Sequence, residues 1–218
     1  MEVTFSKLVR FFTKYRKLHF KKSEVILRSE DSPRGVFFLS RGYVRAYSIS
    51  SEGDELTLII FKKGDFFPII WAFNETPVSF YLEAMTPVEV WLAPKEDFLK
   101  FVQANGDVLL ELTRRILTRM GGLLARMEYL VFGNAYNQVA SIVLICAERF
   151  GKNGGKNILI DVPLTHKQIA DLVGVSRETA SIELKKLERK GFIGYEGKHI
   201  MVKNMEKLKE ESLLHESF

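Results

Sequence analysis

The chain has 218 residues, 46% of them hydrophobic and 27% charged, enough apolar material for one or two buried cores. Its net charge of +5 permits an anionic partner and fits scattered surface lysine equally well. No apolar run approaches the roughly 18 residues of a membrane span, and MEVTFSKLVRFF lacks the apolar stretch and cleavage site of a signal peptide, so a cytoplasmic protein with no membrane partner is expected.

From about Arg16 to Trp91, short apolar runs alternate with turn residues: VFFLS, SRG, YVRAYSIS, SEGDE, LTLIIF, KKGD. Gly42, Gly53 and Gly64 recur at eleven-residue spacing between β-branched and aromatic segments, which predicts a meander of strands closing as a small barrel or sandwich. Beyond Pro94 the period changes. Leu109, Leu112, Ile116, Met120, Leu123, Met127 and Leu130 follow the three-four spacing of a helix stripe. At 1.5 Å per residue this is a rod of roughly 40 Å. Its seam can pack on the strand domain of its own chain or pair with its copy in a symmetric dimer. Gly121-Gly122 interrupts the stripe, which suits a hinge, a close approach of two helix backbones, or a weakness that the helix tolerates.

A second helix, AYNQVASIVLICAERFG, leads to the KNGGKN turn and the strand ILIDV. Within it Cys146, the single cysteine, reads as a small buried hydrophobe; one cysteine excludes an internal disulfide, a cysteine zinc site and a cysteine-ligated iron–sulfur cluster within one chain. LTHKQIADLVG then opens a helix with Thr165 as N-cap and Gln168 three positions on, a capping box. Gly174 is the turn, Ser176 caps the next helix, and Ala180, Leu184 and Leu187 set that helix's inward face. FIGY, EGK and HIMVK read as a two-stranded wing, giving a winged helix-turn-helix.

At 100° per residue, Glu178, Ile182, Lys185 and Arg189 point away from the inward face, flanked by Arg177 and Ser181. Arginine donates a fork of hydrogen bonds to guanine and a carboxylate accepts from cytosine, so an Arg-Glu pair at the start of a helix suits base reading in a major groove. Glu178 also suits the helix dipole, or an ion pair with Arg177. The capped first helix, glycine turn and basic wing favour DNA.

LTHKQIADLVGVSRETASIELKKLERKGFI resembles the winged helix of the cyclic-AMP receptor protein and FNR (CRP/FNR) family of bacterial transcription regulators, and GVFFLSRGYVRAYSISSEGDELTLIIFKKGDFF resembles their β-roll. The resemblance runs from about residue 16 to 203 and implies an α+β chain: a double-stranded β-helix (β-roll) sensor over 1–104, a dimerisation helix over 105–133 and a winged helix-turn-helix over 134–218. It implies that Thr165 and Lys167 lie near phosphates and that Arg177, Glu178 and Ile182 face bases; Ser176, Ser181, Lys185 and the wing residue Lys198 complete the expected DNA-binding set. Homodimerisation and RNA polymerase as a further partner follow from the same likeness. Where the family often has arginine, this chain has Ile182.

The sensor half departs further. Family members that bind cyclic nucleotides carry Gly-Glu-Leu and an Arg-Ser or Arg-Thr pair; here Pro68-Ile69 and Val78-Ser79 stand in those places, so cyclic AMP does not fit. Trp71, Phe73, Phe80, Tyr81 and Met85 suggest either a pocket for an apolar or aromatic small-molecule effector or a cavity filled by its own side chains. Haem is not expected, since His19, His166, His199 and His215 are scattered, and no metal site or cofactor is expected. The reading is therefore a homodimeric DNA-binding regulator with an effector other than a cyclic nucleotide; the alternative is a ligand-binding module that controls a partner protein. Nothing in the chain pairs a nucleophile with a base, so no enzyme is expected.

Overall fold

The computed structural model describes residues 2–154 and 157–214, with side chains described for 4–152 and 157–214. His215, and Gly155 and Lys156 of the expected KNGGKN turn, lie outside the described residues. The chain divides into two compact units, Met1–Leu117 and Thr118–Phe218.

The first unit begins with a helix that the strand-based reading did not foresee, α1 (Glu2–Phe12), whose Leu8 and Phe12 are fully buried. Strands β1 (Arg16–Phe20), β2 (Val25–Leu27), β3 (Val36–Arg41), β4 (Val44–Ile49), β5 (Glu55–Phe61) and β6 (Phe66–Phe67) follow. A short helix α2 (Ile69–Asn74), strands β7 (Tyr81–Ala84) and β8 (Val88–Ala93), and helix α3 (Lys95–Ala104) complete the order before the long helix α4 (Gly106–Phe132). The strands form two antiparallel sheets, β1-β8-β3-β6 and β2-β7-β4-β5. The three recurrent glycines sit at φ 89°, 88° and 90°, a left-handed turn conformation that side chains rarely adopt. At Gly42 a Cβ would also lie 2.4 Å from the Pro87 carbonyl oxygen.

Two apolar clusters follow from the period-two alternation of the strands. One holds Phe37, Leu39, Val44, Ala46, Leu82, Val88 and Val90, contributed by both sheets. The other gathers Phe38 and Phe66 with Leu8, Phe11 and Phe12 of α1, Phe98 of α3, and Val108 and Leu112 of α4. Phe12 stacks on Phe38 at 5.0 Å and Phe11 on Phe101 at 4.2 Å. Leu112, 1% exposed, therefore belongs to the core of the first unit and leaves the expected seam.

Helix α4 runs unbroken through Gly121 and Gly122, and a Cβ at Gly122 would meet nothing within 4 Å. Its remaining stripe lies open: Leu109, Ile116, Met120, Leu123 and Met127 are exposed, joined by Leu110, Leu117, Leu124, Val131 and Phe132, whereas Leu130 is half-buried.

In the second unit, helix α5 (Ala135–Phe150) is capped by the Asn134 side chain and buries Val139, Val143 and Cys146. Strands β9 (Gly151–Gly154) and β10 (Asn157–Ile160) pair antiparallel, then come helices α6 (His166–Val173) and α7 (Arg177–Arg189), strands β11 (Ile193–Glu196) and β12 (His199–Val202), and helix α8 (Met205–Glu211). The expected two-stranded wing is present as the β11-β12 pair, and it continues into a four-stranded antiparallel sheet, β11-β12-β10-β9, because β12 pairs with β10 through its second edge.

Candidate nucleic-acid interface and sensor site

Local chemistry sets the two helices of the recognition motif. Thr165 Oγ1 accepts from the Gln168 amide at 3.2 Å and Gln168 Oε1 accepts from the Thr165 amide at 2.8 Å, a reciprocal capping box. Gly174, at φ 73°, closes α6 with its amide on the Ala170 carbonyl at 2.8 Å. Ser176 Oγ then accepts from the Thr179 amide at 3.1 Å and starts α7. Ala180, Leu184 and Leu187 are fully buried on the inner face of α7.

The opposite face is the exposed one. Ser176, Arg177, Glu178, Ile182, Lys185 and Arg189 are exposed, Ile182 at 55% despite its apolar side chain. Thr165 and Lys167 are exposed at the start of α6, and Lys198 at the turn between β11 and β12. Two of the expected contact residues are partly engaged. Lys167 Nζ lies 2.5 Å from the buried Asp171 carboxylate, and the Ser181 hydroxyl, half-buried, donates to the Arg177 carbonyl at 2.8 Å. The structure adds two groups that sequence reasoning passed over, His166 and Tyr195: the His166 ring bonds Ser181 Oγ at 2.8 Å and faces the Tyr195 hydroxyl at 3.4 Å. A lone histidine after an N-cap carries no signal of such partners.

Comparison with known proteins decides the family. The model of the cyclic nucleotide-binding domain matches residues 17–105 and that of the Crp-like helix-turn-helix domain matches 137–211. This chain belongs to the CRP/FNR family of transcription regulators. It is similar to the global nitrogen regulator of Nostoc sp. (26% identity over 84% of this chain and 83% of that one). It is also similar to the cAMP-activated global transcriptional regulator CRP of Pasteurella multocida (26%, 89% and 93%). A CRP/FNR-family transcriptional regulator of Thermus thermophilus, known by crystal structure, is 25% identical over 90% of this chain and 97% of that one, with a TM-score of 0.71. As a CRP/FNR regulator the chain carries a DNA-binding helix-turn-helix, α6 and α7, later in sequence than its β-roll. Among the described residues no helix is long and apolar enough to cross a membrane.

In this CRP/FNR β-roll the five aromatic and methionine side chains expected around one pocket are not gathered into one. Trp71 packs against both apolar clusters and Phe80 against the one between the sheets, while Met85 is buried. Phe73 is exposed on α2, edge-on to Phe98 at 6.3 Å. Tyr81 stacks on Tyr47 at 5.3 Å, whereas its neighbour Leu82 enters the cluster between the sheets, so alternation sends Tyr81 to the other face. The space between the sheets contains Phe61 and Phe67, rings 4.8 Å apart, with Val78 beside them. Pro68 supplies no N–H at the start of α2, and the Ile69 side chain supplies no acceptor.

A buried cation does exist nearby, and the sequence reading missed it. Arg45 on β4 lies 2.7 Å from Glu55 and 3.2 Å from Glu83, with its guanidinium over the Tyr47 ring. It alternates with Val44 and Ala46, which face the core between the sheets, so its charge is turned away from that core and already balanced. Burial and the two carboxylates together hold the Tyr47 phenol above its ordinary value. Two of the scattered histidines are bound within the second unit, His199 to the Ile160 carbonyl at 3.0 Å and His166 to Ser181.

Proposed function

We propose that this regulator acts as a homodimer that reads a near-palindromic DNA site with α7, and that its β-roll responds to something other than a cyclic nucleotide. The observation that carries the reading is the polarity of α7: a fully buried Ala180-Leu184-Leu187 face and, opposite it, exposed Arg177, Glu178, Ile182 and Lys185. The helix dipole accounts for Glu178 alone; an arginine fork beside it, at the entrance of a capped, basic helix, is what base reading requires. Thr165, Lys167, Ser176 and Lys198 supply the phosphate-side contacts in this reading, and RNA polymerase is a further partner.

The dimer reading rests on the open stripe of α4, where Leu123 is 43% and Met127 62% exposed. A row of leucines and methionines left in water along one helix is costly unless a second surface covers it, and a second copy presents the same row. The effector reading rests on Pro68, Ile69 and Val78 and on the phenylalanine rings between the sheets. A cyclic phosphate needs a cation and converging N–H donors, and Arg45 is committed to Glu55 and Glu83.

Selection of bound duplexes from random DNA tests the function directly. The expected product is a two-fold site with half-sites about 34 Å apart, bound with steep salt dependence. Arg177→Ala should cost about 1–3 kcal/mol on that site and relax one base pair, while Lys198→Ala should weaken all sequences alike and flatten the salt slope. Recovery of no preferred sequence, with capture of a protein through the same helix face, would make the chain a partner-binding module instead.

A further inference from the structure

The polar groups at the junction of α6, α7 and β11 form one ordered chain. The Ser181 hydroxyl donates its single proton to the Arg177 carbonyl, so it receives a hydrogen bond from His166 Nδ1 rather than donating one. Nδ1 therefore carries a proton, and in the tautomer with that proton alone Nε2 faces the Tyr195 hydroxyl as an acceptor. Burial and the charge of Glu188 hold the Tyr195 phenol above its ordinary value, so it remains protonated and able to donate. The rings of His166 and Tyr195 lie 6.3 Å apart at 42°. One imidazole thus ties the first residue of α6, the middle of α7 and the wing strand β11, and the chain ends on the carbonyl of Arg177.

We infer that His166 is a positioning residue for DNA recognition: through Ser181 it fixes the first turn of α7, and with it the direction of Arg177, and through Tyr195 it sets the wing against the recognition helix. Ser181 is then a strut and not a base reader, since its proton is already donated and the lone pair facing α6 is filled. The inference rests on α7 being the recognition helix.

The test compares His166→Ala, His166→Asn, Ser181→Ala and Tyr195→Phe in the full chain. Each is measured for affinity to the selected duplex and to scrambled duplex across a salt series, for base preference by repeated selection, and for melting temperature. His166→Ala should bind the selected site about tenfold more weakly, the worth of one such hydrogen bond, and lose preference at the base pair that Arg177 contacts. Its binding to scrambled DNA and its salt slope should not change. His166→Asn, whose amide N–H takes the place of the Nδ1 proton, should regain the preference, and His166→Ala with Ser181→Ala should be no worse than His166→Ala. Tyr195→Phe keeps the ring and should weaken the selected site by roughly threefold. Where His166→Ala lowers the melting temperature, His166→Asn and Ser181→Ala decide. An unchanged preference in His166→Ala, an Asn variant no better than Ala, or an equal loss on both duplexes with a flatter salt slope would overturn the inference, the last by making His166 a direct phosphate contact. Arg177→Ala in parallel separates the two readings: if it flattens the preference and His166→Ala does not, only the positioning role falls; if neither does, both fall.

Discussion

Arg126 Nη2, near the end of the long helix α4, donates to the Leu172 carbonyl of α6 at 2.5 Å. Leu172 belongs to the last turn of α6, where carbonyls lack intrahelical partners and the helix dipole favours a cation. Burial pulls the Arg126 guanidinium below its ordinary value, with neighbouring Tyr129 and Cys146 pushing partly back, yet an arginine keeps its charge at neutral pH. Arg126→Ala removes a charge-assisted hydrogen bond and the packed stem together and should cost about 3 kcal/mol in urea unfolding. Arg126→Met keeps the stem and removes a buried charge, so its cost should stay below about 1 kcal/mol. Equal losses in both variants would mean that the bond to Leu172, and not the stem, matters.

Cys146 gives a pH dependence with a definite sign. Complete burial pushes its thiol up to about 12, against 9.0 for the ordinary group, so the folded chain keeps a proton that the unfolded chain releases. The stability tied to this group is fully present below pH 9.0 and declines as pH rises from there toward 12. A thiol reagent at a pH of about 8 should therefore label Cys146 only as fast as the domain opens, and immediately in denaturant. Instant labelling of the folded protein would show that α5 does not bury this side chain in solution.

The parts of the fold legible in the sequence were those where local chemistry and period agree. The eleven-residue glycine recurrence marked turns that need positive φ, and the Thr165–Gln168 box and Gly174 marked both ends of α6. What stayed hidden depended on long-range partners. Leu112 and Ile116 share one stripe, yet Leu112 meets Phe98 and Val108 while Ile116 stays open, and no spacing rule distinguishes them. Of the five candidate pocket residues, Trp71 and Phe80 pack on the cluster between the sheets, as a cavity filled by its own side chains requires, whereas Tyr81 is turned away for a legible reason: it neighbours Leu82 on a strand and must face the opposite way. The carboxylates around Arg45 come from β5 and β7, and only the sheet register brings them together.

The open stripe of α4 predicts assembly. Leu123→Glu puts two carboxylates into the seam of a two-fold dimer, and burying them unpaired costs several kcal/mol. Sedimentation should give a dimer for the unmodified chain at micromolar concentration and a monomer for the variant, with unchanged helix content because position 123 is exposed within the chain. A monomeric unmodified chain would contradict the proposed assembly.

Calorimetry addresses the β-roll. Neither cyclic AMP nor cyclic GMP should produce saturable heat, because Pro68 offers no N–H and Arg45 is held by Glu55 and Glu83. A micromolar dissociation constant that is lost on changing residues 68–81 would overturn the proposed effector class.

Ile182 offers the sharpest test of base reading. It lies one turn beyond Glu178 on the exposed face of α7, and an isoleucine at a DNA surface can offer only methyl contact, of the kind a thymine methyl accepts. Ile182→Arg restores a bidentate donor at the position where the CRP/FNR family often has one. The preferred base beside the Arg177 contact should then shift toward guanine, with about 1–3 kcal/mol of discrimination against the other bases. The added cation also raises affinity for every duplex, so the informative quantity is the ratio between selected and scrambled DNA at one salt concentration. Binding sites selected from random DNA by the two proteins settle the matter: a new guanine at one position of each half-site is the expected result. Identical preferred sequences would mean that position 182 does not face the bases, and the orientation of α7 on DNA would have to be rotated about its axis.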